Sequence, residues 1–163
     1  MSETALITLA EGVVARFRDK GLTLSLAESC TGGWISKIIT EVSGSSAVYL
    51  GGVCSYSNQV KMDLLSVKEE TLRKHGAVSE ETAREMVDGI RKATGSDIGV
   101  AVTGIAGPLS DNTRKPVGLI YVCVSNGHKT ICKELRNSFS ENIRFNNRYS
   151  AVETALTLLG DLE

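Results

Sequence analysis

Leu22-Thr23-Leu24-Ser25-Leu26-Ala27-Glu28-Ser29-Cys30-Thr31-Gly32-Gly33-Trp34-Ile35 is the stretch on which the fold turns. Leu22 to Leu26 reads as a short strand. After a loop of small and polar residues, Trp34, Ile35, Ile38, Ile39 and Val42 fall at helical spacing. The order is strand, glycine loop, helix. Upstream, Leu6, Leu9, Ala10, Val13, Val14 and Phe17 recur at helical spacing between Glu3 and Lys20, with Ser2 available as N-cap and Gly21 just past the end. Downstream, the turn-rich Ser43-Gly44-Ser45-Ser46 leads into a second strand over 47–56, where Gly51-Gly52 marks a bulge or a close backbone approach. Short helical segments follow.

Ser79 before Glu80 and Glu81 predicts a capped helix start, with Ala83, Met86, Val87 and Ile90 on one face and Gly95 beyond the end. A third strand covers 98–102 and runs into Thr103-Gly104-Ile105-Ala106-Gly107-Pro108 and a polar loop ending at Pro116. Leu119 to Val124 is continuously apolar, as suits a strand covered on both faces. Asn126-Gly127 signals a type I′ turn into a returning strand over 129–135. A last helix is expected over 140–159. Early alternation of helices and strands with a late hairpin predicts an α/β fold. The expected form is a single domain spanning 1–163, three-layered, with a mixed, mostly parallel central sheet and helices on both faces.

Composition narrows the function. A length of 163 residues suits one compact unit, and 42% hydrophobic with 23% charged residues is the balance of a globular chain. Lys plus Arg number 18 against 19 Asp plus Glu, so the net charge of −1 offers no global field for a phosphate backbone and nucleic-acid binding is not expected. No apolar run reaches the roughly 18–20 residues of a membrane span, and the N-terminus lacks the basic-then-apolar layout of a signal peptide. A cytoplasmic protein without membrane association is expected. The cysteines, Cys30, Cys54, Cys123 and Cys132, include no C-x-x-C pair, which suits neither zinc nor a redox dithiol. Free thiols are expected, with Cys54, Cys123 and Cys132 as small buried hydrophobes. Neither a metal nor a cofactor is expected.

In open α/β sheets ligands bind beyond the carboxyl ends of the strands. Three loops leave those ends: Ala27 to Gly33, Tyr56-Ser57-Asn58-Gln59-Val60-Lys61, and Thr103 to Pro108. Parallel strands would gather them at one rim, with hydroxyls, an amine and exposed N–H groups. Each loop also has a plainer reading: the glycines permit tight packing, Ser29 caps a helix, and 104–108 is only a turn. The helix start after Gly33 offers N–H groups for a phosphate or an oxyanion formed at Ser29. A histidine base is disfavoured, because His75 sits at a helix end and His128 follows a hairpin turn away from the rim. Lys61 is the remaining base, since a desolvated lysine loses its proton near neutrality. Gly32 stands three residues after Ser29, which excludes an S-x-x-K arrangement, so Lys61 must meet Ser29 through the fold. Arg144 and Arg148, four apart on one helix face, could hold a phosphate or carboxylate, or simply face solvent beside Glu141.

The strings 27–33, 51–61, 76–83 (Gly-Ala-Val-Ser-Glu-Glu-Thr-Ala), 103–108 and 115–118 (Lys-Pro-Val-Gly) together resemble the C-terminal domain of the competence/damage-inducible protein CinA. The resemblance runs from Leu6 to Leu159. Stand-alone members of that family are nicotinamide mononucleotide (NMN) deamidases (PncC), which hydrolyse the carboxamide of NMN to nicotinic acid mononucleotide and ammonia in pyridine nucleotide (NAD) recycling. The resemblance implies Ser29 as nucleophile, Lys61 as its base and Tyr56 as a proton relay or orienting group. It further implies that Thr31, Gly32 and Gly33 supply helix-start N–H groups and that Thr103, Gly104, Ala106 and Gly107 line the nucleotide site. Arg144 and Arg148 then meet the phosphate, Ser46 and Asn58 complete the substrate-binding set, and a homodimer is expected. After Pro108 the family continues with several glycines, whereas this chain has Leu109-Ser110-Asp111-Asn112. Leucine resists positive φ, so this loop should take another path. Two other functions stay open: a non-catalytic nucleotide-binding regulatory module linked to competence or DNA damage, and an amidase for another small carboxamide.

Overall fold

In the computed structural model, which describes residues 1–162, Ser2 accepts a hydrogen bond from the Ala5 N–H and Gly21 closes the other end at φ 66°. The first helix, α1, therefore runs Glu3–Lys20 and buries Leu6, Ala10, Val13, Val14 and Phe17. The elements that follow are β1 (Leu24–Glu28), α2 (Trp34–Thr40), β2 (Tyr49–Cys54), α3 (Asn58–Leu65), α4 (Glu69–His75) and α5 (Glu80–Thr94). The chain then forms β3 (Ile98–Gly104), β4 (Leu119–Ser125), β5 (Thr130–Arg136) and α6 (Ile143–Asp161). No helix among the described residues is long and apolar enough to cross a membrane.

The sheet has the order β2-β1-β3-β4-β5. β1 is parallel to both β2 and β3, while β4 runs antiparallel to β3 and to β5. β1 is buried along its whole length, as expected of a strand covered on both faces. On one face, Leu6, Phe17, Ile35, Ile39, Val152 and Leu156 of α1, α2 and α6 pack on Leu24, Leu26, Val100 and Val122. On the other, Leu65, Met86, Val87 and Ile90 of α3 and α5 pack on Ala27, Ala101 and Cys123. This is the three-layered, mixed-sheet α/β architecture that the alternating pattern predicts. Its consequence for function is positional: Glu28 is opposite Cys54 and Val102, so β1, β2 and β3 end at one rim.

Several boundaries move for local reasons. Residues 45–47 form a single 3-10 turn, so β2 begins at Tyr49. The β1–β2 register skips Leu50, and a Cβ on Gly52 would lie 2.6 Å from the Leu26 carbonyl oxygen. Bulge and close approach, offered as alternatives for the glycine pair, occur side by side. The hairpin turn is a correction: only Gly127 takes positive φ (87°), whereas a type I′ turn needs it at both central residues. A wider loop forms, in which the Asn126 side-chain oxygen accepts from the N–H groups of His128 and Lys129.

The cysteines are a second correction. Cys123 and Cys132 stand opposite one another in the β4–β5 register with Cα atoms 4.1 Å apart, and they form a disulfide. Pairing across a hairpin depends on register, which a search for C-x-x-C cannot see. Cys54 is exposed rather than buried, because β2 is an edge strand whose alternate residues face outward. Cys30 is free and buried.

Gly89 joins α5 to α3: a Cβ there would sit 1.9 Å from the Leu65 carbonyl oxygen. A main-chain contact cannot rotate away as a side chain can. Gly89→Ala is expected to destabilise the protein by on the order of 3 kcal/mol, lowering the melting temperature by roughly 6–12 °C. Thermal unfolding followed by circular dichroism measures this. A melting point within a degree of the parent would mean that α5 shifts without cost.

Candidate active site

The main chain brings serine and lysine together. The Ser29 N–H donates to the Val102 carbonyl (3.0 Å) and the Ser55 N–H to the Glu28 carbonyl (2.8 Å), so both strand exits are still tied to the sheet where they turn. Ser57 then caps α3, its hydroxyl accepting from the Val60 N–H, and the first turn of that helix delivers Lys61 inward. Lys61 is only 1% exposed. Its Nζ donates to Ser29 Oγ at 3.0 Å and to the Ser55 carbonyl at 2.5 Å. Burial lowers its pKa to about 8, opposed weakly by the neighbouring Cys30 thiol. Burial pushes the Cys30 thiol up to about 12, so at neutral pH that sulfur is no thiolate nucleophile and the hydroxyl beside the amine has no rival.

The loop after Ser29 differs from expectation. Glu28, 1% exposed, turns its carboxylate under the start of α2. Its Oε2 accepts from the N–H groups of Gly33 (3.1 Å) and Ile35 (3.0 Å), and its Oε1 from the N–H and hydroxyl of Ser36 (both 2.8 Å). The helix start expected to meet a phosphate or oxyanion is thus satisfied from within. Gly32 and Gly33 serve the backbone path, at φ 59° and 92°, and neither lines the cavity. The N–H of Gly32 returns to the Ser29 carbonyl at 3.0 Å. Thr31, expected with them, is fully buried and does not line the cavity either, whereas Cys30 does, and its N–H donates to no other residue among those described. Thr31 Oγ1 and Ser55 Oγ are buried without a partner there.

A cavity of about 250 Å³ opens over this pair. Ser29, Cys30 and Lys61 line it, with Ala77, Val78 and the 103–107 segment as walls. The walls are held by packing rather than by flexible side chains. A Cβ on Gly104 would be 2.6 Å from Ile120, and one on Gly107, at φ 75°, would be 2.3 Å from Val117. Thr103 Oγ1 donates to the Ala77 carbonyl (2.8 Å), and Asn147 Nδ2 to that of Ala106 (3.0 Å). Tyr56, Asn58, Arg144 and the divergent residues 109–111 complete the lining, with Leu109 84% exposed. The loop's positive φ is taken by Asn112 (64°) and not by Leu109.

Not every expected residue arrives. Ser46 is exposed in the turn before β2, at the far end of that strand, and lies outside the cavity. The two arginines part company. Arg144 donates to the Gly107 carbonyl (2.9 Å) and to the Tyr56 hydroxyl (3.1 Å) at the cavity, and Glu141 is not its partner. Arg148 does not line the cavity: it donates through Nε to the Cys30 carbonyl (3.0 Å) and through Nη2 to the Thr31 carbonyl (2.9 Å). One helix face carries both, but their long side chains diverge. Tyr56 is 65% exposed and bonds Arg144, not Ser29 or Lys61. Glu28, Ser55 and Asn147 are contributions that sequence reasoning passed over. The Glu28-Ser29 adjacency at a strand end was the available signal for the first. Among the described residues no group of three or more His, Cys, Asp and Glu could hold a metal.

A hydroxyl hydrogen-bonded to a depressed-pKa amine, with the main chain of Cys30 beside it in the cavity, can attack a carbonyl carbon and offer a donor to the resulting oxyanion.

Residues 6–162 match the family model described as the CinA C-terminal domain. A CinA-like protein of Syntrophomonas wolfei is 47% identical over 152 residues, 93% of this chain and 36% of that protein. Another from Kosmotoga olearia is 51% identical over 129 residues, 79% of this chain and 31% of its own. The chain thus spans about a third of these relatives. Among solved structures, the competence/damage inducible protein CihA of Agrobacterium tumefaciens superposes with a TM-score of 0.91 at 38% identity, covering 99% of this chain and 96% of that one. A CinA superfamily protein of Klebsiella pneumoniae gives 0.90 at 30%, covering 96% of each.

Proposed function

The chain belongs to the CinA C-terminal domain family, and from that membership and the 3.0 Å contact between Lys61 Nζ and Ser29 Oγ we propose that it is a serine–lysine amidohydrolase acting on the carboxamide of NMN. That contact carries the reading, because it joins a nucleophile and a base across 32 residues inside a cavity. Neutral Lys61 takes the Ser29 proton as Oγ attacks the carboxamide carbon, and the carbonyl electron pair moves onto oxygen, which the Cys30 N–H is placed to meet. Collapse of this intermediate breaks the C–N bond. Lys61 returns the proton to the leaving nitrogen, so ammonia departs and an ester remains on Ser29. Water then attacks the ester, Lys61 takes its proton, and Ser29 leaves with it as the nicotinic acid product forms. At the mouth, Arg144 and Tyr56 supply the donors suited to a phosphate. Tyr56 orients the substrate in this scheme, and proton transfer stays with Lys61.

The test is direct: purified protein incubated with NMN should release ammonia and nicotinic acid mononucleotide in equal amounts. Binding of NMN without ammonia would favour the regulatory module instead, and ammonia from other carboxamides alone would move the substrate. The rate should depend on pH in a definite sense. Lys61 must be neutral to act, and its pKa is lowered to about 8. Below that value kcat/KM should rise about tenfold per pH unit, then level above it. A profile flat from pH 6 to 9 would remove Lys61 as the base.

A further inference from the structure

We propose that Lys115 is a positioning residue for the substrate: it fixes the 75–78 loop, so that Ala77 and Val78 form a wall against which the planar group carrying the carboxamide is held. The inference rests on the amidohydrolase reading and adds a determinant of what fits that site. Ala77 and Val78 line the same cavity as Ser29 and Lys61. Lys115 Nζ donates to the His75 carbonyl and to the Val78 carbonyl, each at 2.5 Å. One ammonium thus closes the loop from both ends. The carbonyls between are taken as well: that of Gly76 accepts from the hydroxyls of Ser79 (2.9 Å) and Thr82 (2.8 Å), and that of Ala77 from Thr103 Oγ1 (2.8 Å). Every main-chain carbonyl from His75 to Val78 is therefore held by a side chain, and those partners set the path of the loop.

Packing contributes less here than elsewhere in the fold. α4, which leads into the loop, has no fully buried residue, and Val78 belongs to a small cluster with Ile105 and Leu119 that is separate from the two large ones. Polar ties carry the position instead. Lys115 stands on the connection between β3 and β4 that also carries the mouth residues 109–111, so its ammonium joins the wall to the chain that forms the mouth. It is half-buried, and among the described residues no carboxylate pairs with it, so its bonds go to the two carbonyls. With an apolar chain in its place, both carbonyls lose a charged donor and the loop loses its closure. The wall touches the bound group and not the reacting atoms. Its contacts are the same before and during reaction, so their loss falls on KM and not on kcat.

The experiment compares Lys115→Met and Lys115→Gln with the parent enzyme. Steady-state kinetics are measured on NMN. Two fluorophosphonates, one bearing an ethyl and one a benzyl group, supply a readout that needs no natural substrate. With each, Ser29 Oγ forms a bond to phosphorus, fluoride leaves and Lys61 takes the hydroxyl proton. Labelling is followed by mass spectrometry. Lys115→Met should raise KM for NMN about tenfold while kcat stays within about threefold. The ethyl reagent should label at the parent rate, and the benzyl reagent about tenfold faster relative to it, because a yielding wall admits bulk that a fixed one rejects. Lys115→Gln keeps a donor for one carbonyl and should fall between. A lowered melting temperature with KM and the label ratio kept would make Lys115 a stability residue only, and would overturn the proposal. Equal losses in kcat and in ethyl labelling would place its effect on Ser29 and Lys61 instead of the wall, and would overturn it too. Should the parent release no ammonia from NMN, the amidohydrolase reading fails by itself, and the label ratio still decides: raised in the variants it upholds Lys115, unchanged or with the parent unlabelled it overturns it. If Lys115→Met does not fold, Lys115→Gln decides by the same two readouts.

Discussion

Ser29→Ala is expected to reduce ammonia release from NMN by roughly 10⁴-fold or more, the scale seen when a nucleophile is removed from a constellation that works as a unit. Ser29 Oγ is the atom that would bond the carboxamide carbon, and the buried Cys30 thiol, with its pKa pushed up to about 12, cannot stand in for it. The fold should be intact. Lys61 keeps its bond to the Ser55 carbonyl, and Ser29 remains tied to Val102 through its main chain. NMN affinity, measured by calorimetry, should stay within a few fold while turnover disappears. Substantial residual turnover would mean that Lys61 activates water directly and no ester forms on the protein.

Lys61→Met is expected to abolish activity to a similar degree and, unusually, to raise stability. Methionine retains the length and apolar stem of the side chain and removes the amine. In the native protein the Lys61 pKa falls from 10.5 to about 8, chiefly through burial. Between those values the unfolded chain binds the extra proton and the folded one does not, so native stability rises with pH across this window. Below pH 8 the full penalty applies, on the order of 3 kcal/mol. Methionine escapes it, less the value of the hydrogen bonds to Ser29 and Ser55. Urea midpoints at pH 7 and pH 10 measure both effects: the parent should gain stability between them through this group, and Lys61→Met should lack that gain. A variant less stable than the parent at pH 7 would show that the two hydrogen bonds outweigh the cost of burying the amine.

What the sequence made legible follows from the range of the forces involved. Helices with strong local signals, such as α1 with its Ser2 cap and Gly21 stop, are predicted to the residue. The rim was legible because parallel β1, β2 and β3 must end together, and the pairing of Ser29 with Lys61 follows from that topology. Side-chain direction was not legible. Nothing local says that Glu28 turns back beneath α2 instead of facing a ligand, since burying a carboxylate is favourable only when several donors converge on it in space. The spacing of Arg144 and Arg148 gives a shared helix face, yet each guanidinium ends some 6 Å or more from its Cα and is captured by whichever carbonyl it meets. The Cys123–Cys132 pairing depends on hairpin register, and the wider loop at Asn126-Gly127 decides that register.

The buried carboxylate of Glu28 also governs how this corner of the molecule behaves when nothing is bound. With four donors already gathered onto it, the bend carrying Ser29 has its shape enforced by the protein's own interior. In the proposed reaction Ser29 is thus held in place before any visitor arrives, while Leu109 at the cavity mouth stands in solvent.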